Sequence, residues 1–382
     1  MHPNLKSLTM HRVAISSTGL FTPPEIITNE ELVVAFNAFA ELENAKSAAE
    51  MAAGTRAAIT NSNVEFIEKA SGIKRRYVMN KSGVLDPRRM RPVFKTRPDT
   101  EISMMAEIAV KAAQDALANA GKTAADVDGV ICASANMQRA YPAMGVEIQT
   151  ALGVKGYAFD MNVACSSATF GLEMAVNAVR SGTARAILVV NPEITSAHLA
   201  WMDRDCHFIF GDVCTAILVE RLDQAPAGAF EILGTRLQTT FSNAIRNNAG
   251  FMSRAEDRDP EDRDQLFRQE GRKVFKEVCP MAAEHMATHL ADHDLVPDGV
   301  RRFWLHQANL AMNQLISRKL LGRDATRDEA PVILDEFANT ASAGSIIAFH
   351  RHKADFEVGD VGMICSFGAG YSIGSAILRK TA

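Results

Sequence analysis

The chain has 382 residues, 47% hydrophobic and 23% charged, an ordinary globular composition that excludes a disordered or fibrous protein. Its 41 basic and 45 acidic residues nearly cancel, so bulk charge speaks against a nucleic-acid or polyanion binder. No apolar run reaches the roughly 18 residues a membrane span needs, and six cysteines without a CxxC spacing do not make a disulfide scaffold.

In chain order, Val13–Ile15 is too short for the core of a signal peptide, so a cytoplasmic protein with reduced thiols is expected; either Met1 or Met10 fits as the start. The segment Val34–Asn61 is rich in Ala and Glu and reads as an inserted helical excursion. A second insertion lies near residues 84–98, where Asp86–Pro98 carries three prolines and five basic residues and reads as a loop with a positive surface. Strands are predicted at Gly129–Ala133, Ala186–Val190, Thr215–Val219, Arg302–Leu305, Val332–Leu334 and Gly362–Ser366. Helices are predicted at Ile102–Ala120, Ser166–Ser181, Leu266–His289, Leu310–Leu321 and Ser342–Lys353. Alternating strands and helices imply an α/β architecture rich in parallel pairing.

The two halves echo each other. Asp128-Gly129-Val130 returns as Asp298-Gly299-Val300, and at the same displacement Ala112-Ala113 falls on Ala282-Ala283. The expectation is two pseudo-duplicated halves, residues 1–222 and 223–382.

Three polar residues stand at predicted strand-to-helix turns. Cys165 lies in ACSSATFG, where a strand-like run ends near Asn162 and a helix begins at Ser166 or Ser167. Unpaired N–H groups and the helix dipole at such a place favour a thiolate, and the small neighbours leave room for a substrate; the alternative is a small buried core residue. His306, in WLHQANL, follows one strand and precedes a helix, beside the polar Gln307 and Asn309; a structural histidine is the alternative. Asn339, in FANTASAGS, is predicted to occupy in the second half the place of Cys165 in the first; a plain helix cap is the alternative. Finally Phe367-Gly368-Ala369-Gly370 ends a strand with small residues that let backbone N–H groups approach a ligand, as an oxyanion hole requires. His285, His289 and His293 share a helical spacing, but no carboxylate completes a ligand pattern and no metal is expected.

Taken in order, ACSS, HQAN, the NT-x-S of NTASAGS and the terminal FGAG resemble the β-ketoacyl-acyl carrier protein synthase III family of the thiolase superfamily. The similarity runs from about Arg12 to the C-terminus, and within the family it is greatest to synthases that start from a medium-chain acyl-CoA and form a β-ketodecanoyl product. The resemblance implies a five-layered αβαβα thiolase-like fold and a homodimer. It implies an acyltransferase that loads acyl-CoA onto Cys165 and condenses it with malonyl-acyl carrier protein, with His306 and Asn339 donating to the malonyl thioester carbonyl. The N–H groups of Cys165 and Ala369 would form the oxyanion hole, Phe66 and Arg204 would hold the CoA adenine, and Asn309, Gly368 and Gly370 would lie along the substrate. Tyr141 would reach across the dimer to limit the acyl pocket, and no metal or redox cofactor is implied.

The chain departs from the family pattern in places. Ala338 stands where the family usually has glycine, the stretch after Asn339 lacks a usual proline, and Ala311-Met312 replaces a frequent arginine. Carrier-protein docking is therefore expected to move to Arg318, Lys319 or the Asp86–Pro98 loop. Rival readings on the same scaffold are a thiolase or a Claisen condenser of two acyl-CoAs, for which Cys365 is the available second cysteine. An ester-forming acyltransferase and a non-catalytic partner subunit are lesser ones.

Overall fold

The computed structural model describes residues 10–382, so the choice of start codon at Met1 falls outside the described residues. The strands are β1 (Val13–Phe21), β2 (Glu25–Thr28), β3 (Arg75–Val78), β4 (Gly129–Ala133), β5 (Tyr157–Met161), β6 (Ala186–Glu193), β7 (Val213–Arg221), β8 (Phe230–Ser242), β9 (Ile245–Arg246), β10 (Arg268–Gln269), β11 (Arg302–Leu305), β12 (Val361–Gly368) and β13 (Gly370–Lys380). The helices are α1 (Asn29–Lys46), α2 (Ala48–Ala52), α3 (Val64–Ser71), α4 (Met104–Ala120), α5 (Met144–Leu152), α6 (Ser167–Arg180), α7 (Gly271–Ala291), α8 (Leu310–Leu321), α9 (Leu334–Phe337) and α10 (Gly344–Arg351).

Nine strands run in the order β11-β12-β13-β8-β1-β7-β6-β4-β5. The join between β1 and β8 is narrow, with only Ala14 and Ile15 paired to Glu231 and Phe230. On each side of that join one plan repeats. β4 is parallel to β6, which is antiparallel to β7, which is antiparallel to β1. Likewise β11 is parallel to β12, which is antiparallel to β13, which is antiparallel to β8.

Period-two alternation along the strands builds the layers. Val130, Cys132, Leu188 and Val190 face α4 and α5 on one outer side, while Ile131, Ala133, Ile187 and Val189 face the buried helices α6 and α10. In the other half, Phe303, Leu305, Met363 and Cys365 face α7 and α8, whereas Trp304 and Ile364 face inward. The result is helix, sheet, helix, sheet, helix. Close approach around α6 depends on glycine: a Cβ on Gly171 would sit 2.8 Å from the Ala133 methyl, and one on Gly374 would sit 2.3 Å from Thr169 Oγ1. Helix α4 shows how local chemistry sets the boundaries. Ser103 accepts from the Ala106 N–H at its start, a cap worth about 1 kcal/mol, and Gly121 ends it at φ 63°.

Several expectations need correction. Val332–Leu334 is not a strand: β11 is left at the sheet edge, where the Phe303 N–H donates to the Glu329 carbonyl at 2.7 Å, and Leu334 opens the short α9. The predicted helix Leu266–His289 starts later, at Gly271, because Arg268-Gln269 pairs as a strand with Ile245-Arg246. The Val34–Asn61 insertion is helical only to Ala52, and its remainder is anchored by hydrogen bonds from Asn37 and Asn44. The basic loop is less free than its composition suggests. Arg91 pairs with Glu261, Arg97 with Glu107, and Arg89 donates to the Arg91 and Pro92 carbonyls. The Asp-Gly-Val echo is also out of register, since the helical turns Ala124–Asp126 and Pro297–Gly299 occupy equivalent places and Gly129 corresponds through its pairing to Arg302.

Candidate active site

Cys165 sits in a short 3₁₀ turn, Ala164–Ser166, that runs directly into α6. The turn is tight because Ala164 has φ 47°, held by its N–H donating to Asn162 Oδ1 at 2.8 Å. Of the six cysteines, it alone is not fully buried. Gly368 lies against it. A Cβ at Gly368 would come 2.6 Å from the Cys165 Cβ and 3.1 Å from the sulfur, so the bare glycine makes room above the thiol. The N–H groups of Ala369 and of Cys165 itself lie close enough to the sulfur to favour its ionised form.

Those donors do not make a resting thiolate. Burial, with the nearby Glu193 carboxyl second, pushes the Cys165 thiol up to about 12, which corrects the expectation from the helix dipole. Desolvation of a charge outweighs the dipole and two amides. The same enclosure leaves room for a neutral nucleophile that ionises only as it reacts.

His306 follows β11, its N–H donating to the Cys365 carbonyl at 2.8 Å and its ring edge-on to Phe367 at 5.2 Å. The imidazole is 2% exposed, its Nδ1 has no hydrogen-bond partner among the described residues, and burial lowers it to about 3. It is a neutral ring at any working pH. Phe367 and Gly368 are consecutive, so the imidazole and the thiol meet the same end of β12.

Asn339 is pinned through its backbone, its N–H donating to the Ile209 carbonyl at 2.9 Å and its carbonyl accepting from Gly211 at 3.1 Å. Its Oδ1 accepts from the Ala341 N–H at 2.9 Å, leaving Nδ2 without a hydrogen bond among the described residues. The turn that follows, Ala341–Ala343, packs on the Ala164–Ser166 turn. The counterpart of Cys165 is not Asn339, however. Residues 162–166 and 339–343 repeat one geometry, with Ala164 and Ala341 both at φ 47° and each bonded to the asparagine two positions earlier. Asn339 therefore corresponds to Asn162, and Ser342 to Cys165.

Preceding Asn339, Ala338 has φ 58° and ψ −162°, a region other residues rarely occupy, and it is the position where the resembled family has glycine. Such strain costs about 1–3 kcal/mol, while a glycine loses about 0.4–1 kcal/mol through its freer unfolded state. Ala338→Gly is thus expected to raise stability by about 1 kcal/mol, read as a higher urea midpoint with unchanged slope. A lower midpoint would mean that packing of the buried methyl outweighs the strain.

The remaining expected site residues fall as follows. The Arg204 guanidinium lies 3.8 Å over the Phe66 ring, a stacked pair that a flat base would have to enter. Arg204 is steered there by its Nε–H, which donates to the Asn61 carbonyl at 2.8 Å. Asn309 has both ends committed, capping α8 through Ala311 N–H and donating to the Ala70 carbonyl, so it braces the site rather than facing it. Gly370, at φ 131°, begins β13 opposite Ser242. Tyr141 is 86% exposed on the loop before α5. Cys365 is fully buried inside β12 on the face packed against α7 and α8, whereas Cys165 leads into the inner helix α6, so Cys365 does not stand as the second base a thiolase requires. His285 and His289 share the hydroxyl of Ser375, at 2.9 and 2.7 Å.

Two acids were given no role by the sequence reading. Asp212 accepts from Met79 N–H and from the N–H and hydroxyl of Ser196, fixing the loop that carries the Ile209 and Gly211 contacts to Asn339; burial lifts it to about 6. Glu193, 1% exposed at the end of β6, accepts from Ser342 and Ala135; burial lifts it to about 7. Asp212 ends the family-like stretch Ile209-Phe210-Gly211-Asp212, whereas nothing in the sequence neighbourhood of Glu193 marks it.

A duplicated five-layer fold with a cysteine beneath two backbone N–H groups defines a thiolase-like condensing enzyme. Solved structures agree in fold. The priming β-ketosynthase of the R1128 polyketide pathway aligns with TM-score 0.77 at 23% identity, covering 99% of each chain. The 3-oxoacyl-[acyl-carrier-protein] synthase III of Aquifex aeolicus aligns with TM-score 0.74 at 24% identity, covering 96% of this chain and 99% of that one. In sequence, the 3-oxoacyl-[acyl-carrier-protein] synthase III family matches residues 159–240, and its C-terminal part matches residues 290–380. The β-ketodecanoyl-[acyl-carrier-protein] synthase of Pseudomonas aeruginosa is 59% identical over 346 residues, 90% of this chain and 99% of that protein. The β-ketoacyl-[acyl-carrier-protein] synthase III of Granulibacter bethesdensis is 28% identical over 97% of this chain and all of that protein. The chain belongs to the β-ketoacyl-[acyl-carrier-protein] synthase III family.

Proposed function

We propose that the protein joins a medium-chain, octanoyl-like acyl-CoA to malonyl-acyl carrier protein by decarboxylative Claisen condensation, in fatty acid biosynthesis. The observation that carries this reading is the Cys165 thiol, roofed by Gly368 and reached by two N–H groups. In the first half-reaction the sulfur attacks the acyl-CoA thioester; the S–acyl bond forms, the CoA–acyl bond breaks, and the thiol proton leaves with CoA as free CoASH. The Cys165 and Ala369 N–H groups hold the tetrahedral oxyanion. In the second, malonyl thioester loses CO₂, and the electron pair passes to an enolate whose oxygen accepts from His306 and Asn339. The enolate carbon attacks the acyl-enzyme, and Cys165 leaves as a thiolate that regains a proton. Decarboxylation supplies the carbanion, so the chemistry requires neither metal nor redox cofactor.

The chain-length part of the reading rests on the relative's name: a ten-carbon β-ketoacyl product less a two-carbon extender leaves an eight-carbon primer. Adenine would stack between Phe66 and Arg204. A homodimer would form along β5, an edge strand among the described residues, where Tyr157 and Phe159 are exposed; Tyr141, exposed on the loop before α5, would reach across it to limit the partner's acyl pocket. Among the described residues no helix is long and apolar enough to cross a membrane.

An acyl-CoA length series with malonyl-acyl carrier protein tests the substrate. Octanoyl-CoA is expected to give the highest kcat/KM and a β-ketodecanoyl product. Acetyl-CoA turning over as well or better would overturn the medium-chain reading while leaving the condensation intact.

A further inference from the structure

The repeated plan places the last residue of β6, Glu193, in the position that Gly368 takes at the end of β12. The contacts are matched as well. Gly368 lies against Cys165, and Glu193 lies against Ser342, the residue that corresponds to Cys165. In one half a missing side chain leaves space over a nucleophile. In the other a carboxyl fills that space and accepts from the hydroxyl.

We propose that Glu193 and Ser342 are positioning residues, a closed second copy of the nucleophile site that holds the Asn339 amide in place for decarboxylation. Three observations support this. Glu193 Oε1 accepts from the Ser342 hydroxyl, from the Ser342 N–H at 3.3 Å and from the Ala135 N–H at 2.9 Å. Ser342 is three residues from Asn339 within one turn whose other tie is Asn339 Oδ1 to Ala341 N–H. On its far side, the Ala135 carbonyl accepts from Asn162 Nδ2 at 2.8 Å, and Asn162 Oδ1 accepts from the Ala164 N–H. A single carboxyl thus sets the Asn339 turn relative to the Cys165 turn. Both Glu193 and Ser342 are 1% exposed, so neither contacts solvent in that role.

The proposal rests on the role given above to Asn339, and the experiment separates the two. Octanoyl adduct formation on Cys165 is followed by intact mass, and CO₂ release from malonyl-acyl carrier protein is followed in parallel, for Ser342→Ala, Glu193→Gln and Asn339→Ala. Displacing the amide by a fraction of an ångström should slow CO₂ release in Ser342→Ala by about tenfold or more, with adduct formation within about twofold of the parent. Glu193→Gln keeps an acceptor oxygen, so its CO₂ release should stay within about threefold. Unchanged CO₂ release in Ser342→Ala would overturn the proposal, as would an equal fall in both half-reactions, the mark of a general structural role. If Asn339→Ala itself releases CO₂ at the parent rate, the fault lies in the role assigned to Asn339.

Discussion

Cys165→Ala is expected to acquire no octanoyl group on that peptide and to lose at least about 10³-fold in condensation, because the covalent intermediate has no other sulfur to form on. The other five cysteines lie fully buried in strands, a helix and the Cys206 loop, so an adduct on any of them would contradict the geometry. A second measurement reports the electrostatics. With the thiol held up near 12 by burial and by Glu193, iodoacetamide should alkylate Cys165 about tenfold faster for each unit of pH between 7 and 9, without levelling. A plateau below pH 8 would mean that the two N–H groups and the helix end overcome desolvation after all. Retention of the octanoyl adduct in Cys165→Ala would remove the nucleophile from the reading altogether.

How far the sequence disclosed this site follows from what local pattern can carry. Cys165, His306 and Asn339 were visible because each combines a polar group with an apolar run on one side and a helix-forming run on the other. Oxyanion donors were visible because Gly368-Ala369-Gly370 is itself a backbone statement. The pairing of Asn339 with Asn162 rather than Cys165 was not, since it depends on two alanines sharing φ 47°. Glu193 was hidden for a related reason: its meaning lies in Ser342, 149 positions away, and a carboxylate at a strand end looks like any solvated acid. Among the elements, β8 escaped because its outer half, Arg236–Ser242, is mostly polar and half-buried to exposed, and its two apolar residues, Leu237 and Phe241, are separated by three polar ones, which breaks the apolar alternation. Val332–Leu334 erred in the opposite sense. Three apolar residues satisfied the pattern, yet their backbone makes no ladder beside β11, and the pattern cannot see a missing partner.

His306→Ala and Asn339→Ala are each expected to lower CO₂ release from malonyl-acyl carrier protein by about 10²–10³-fold, the loss found when one preorganised donor to a developing oxyanion is removed. Both should still form the octanoyl adduct on Cys165, since the acyl side is served by the Cys165 and Ala369 N–H groups instead. The pH dependence discriminates between two ways a histidine could act. Burial holds His306 down near 3, so between pH 5 and 8 the folded enzyme carries a neutral imidazole that donates a hydrogen bond but has no extra proton to give. CO₂ release should therefore show no inflection near 6.5 that disappears in His306→Ala. The same depression has a stability consequence of definite sign: the unfolded chain takes up a proton near 6.5 and the folded chain only near 3, so this group removes stability as pH falls through that window. A rate that instead fell as pH rose through 6.5, and did so only with His306 present, would show that the imidazolium is the working form and that the enclosed site binds charge better than its desolvation allows.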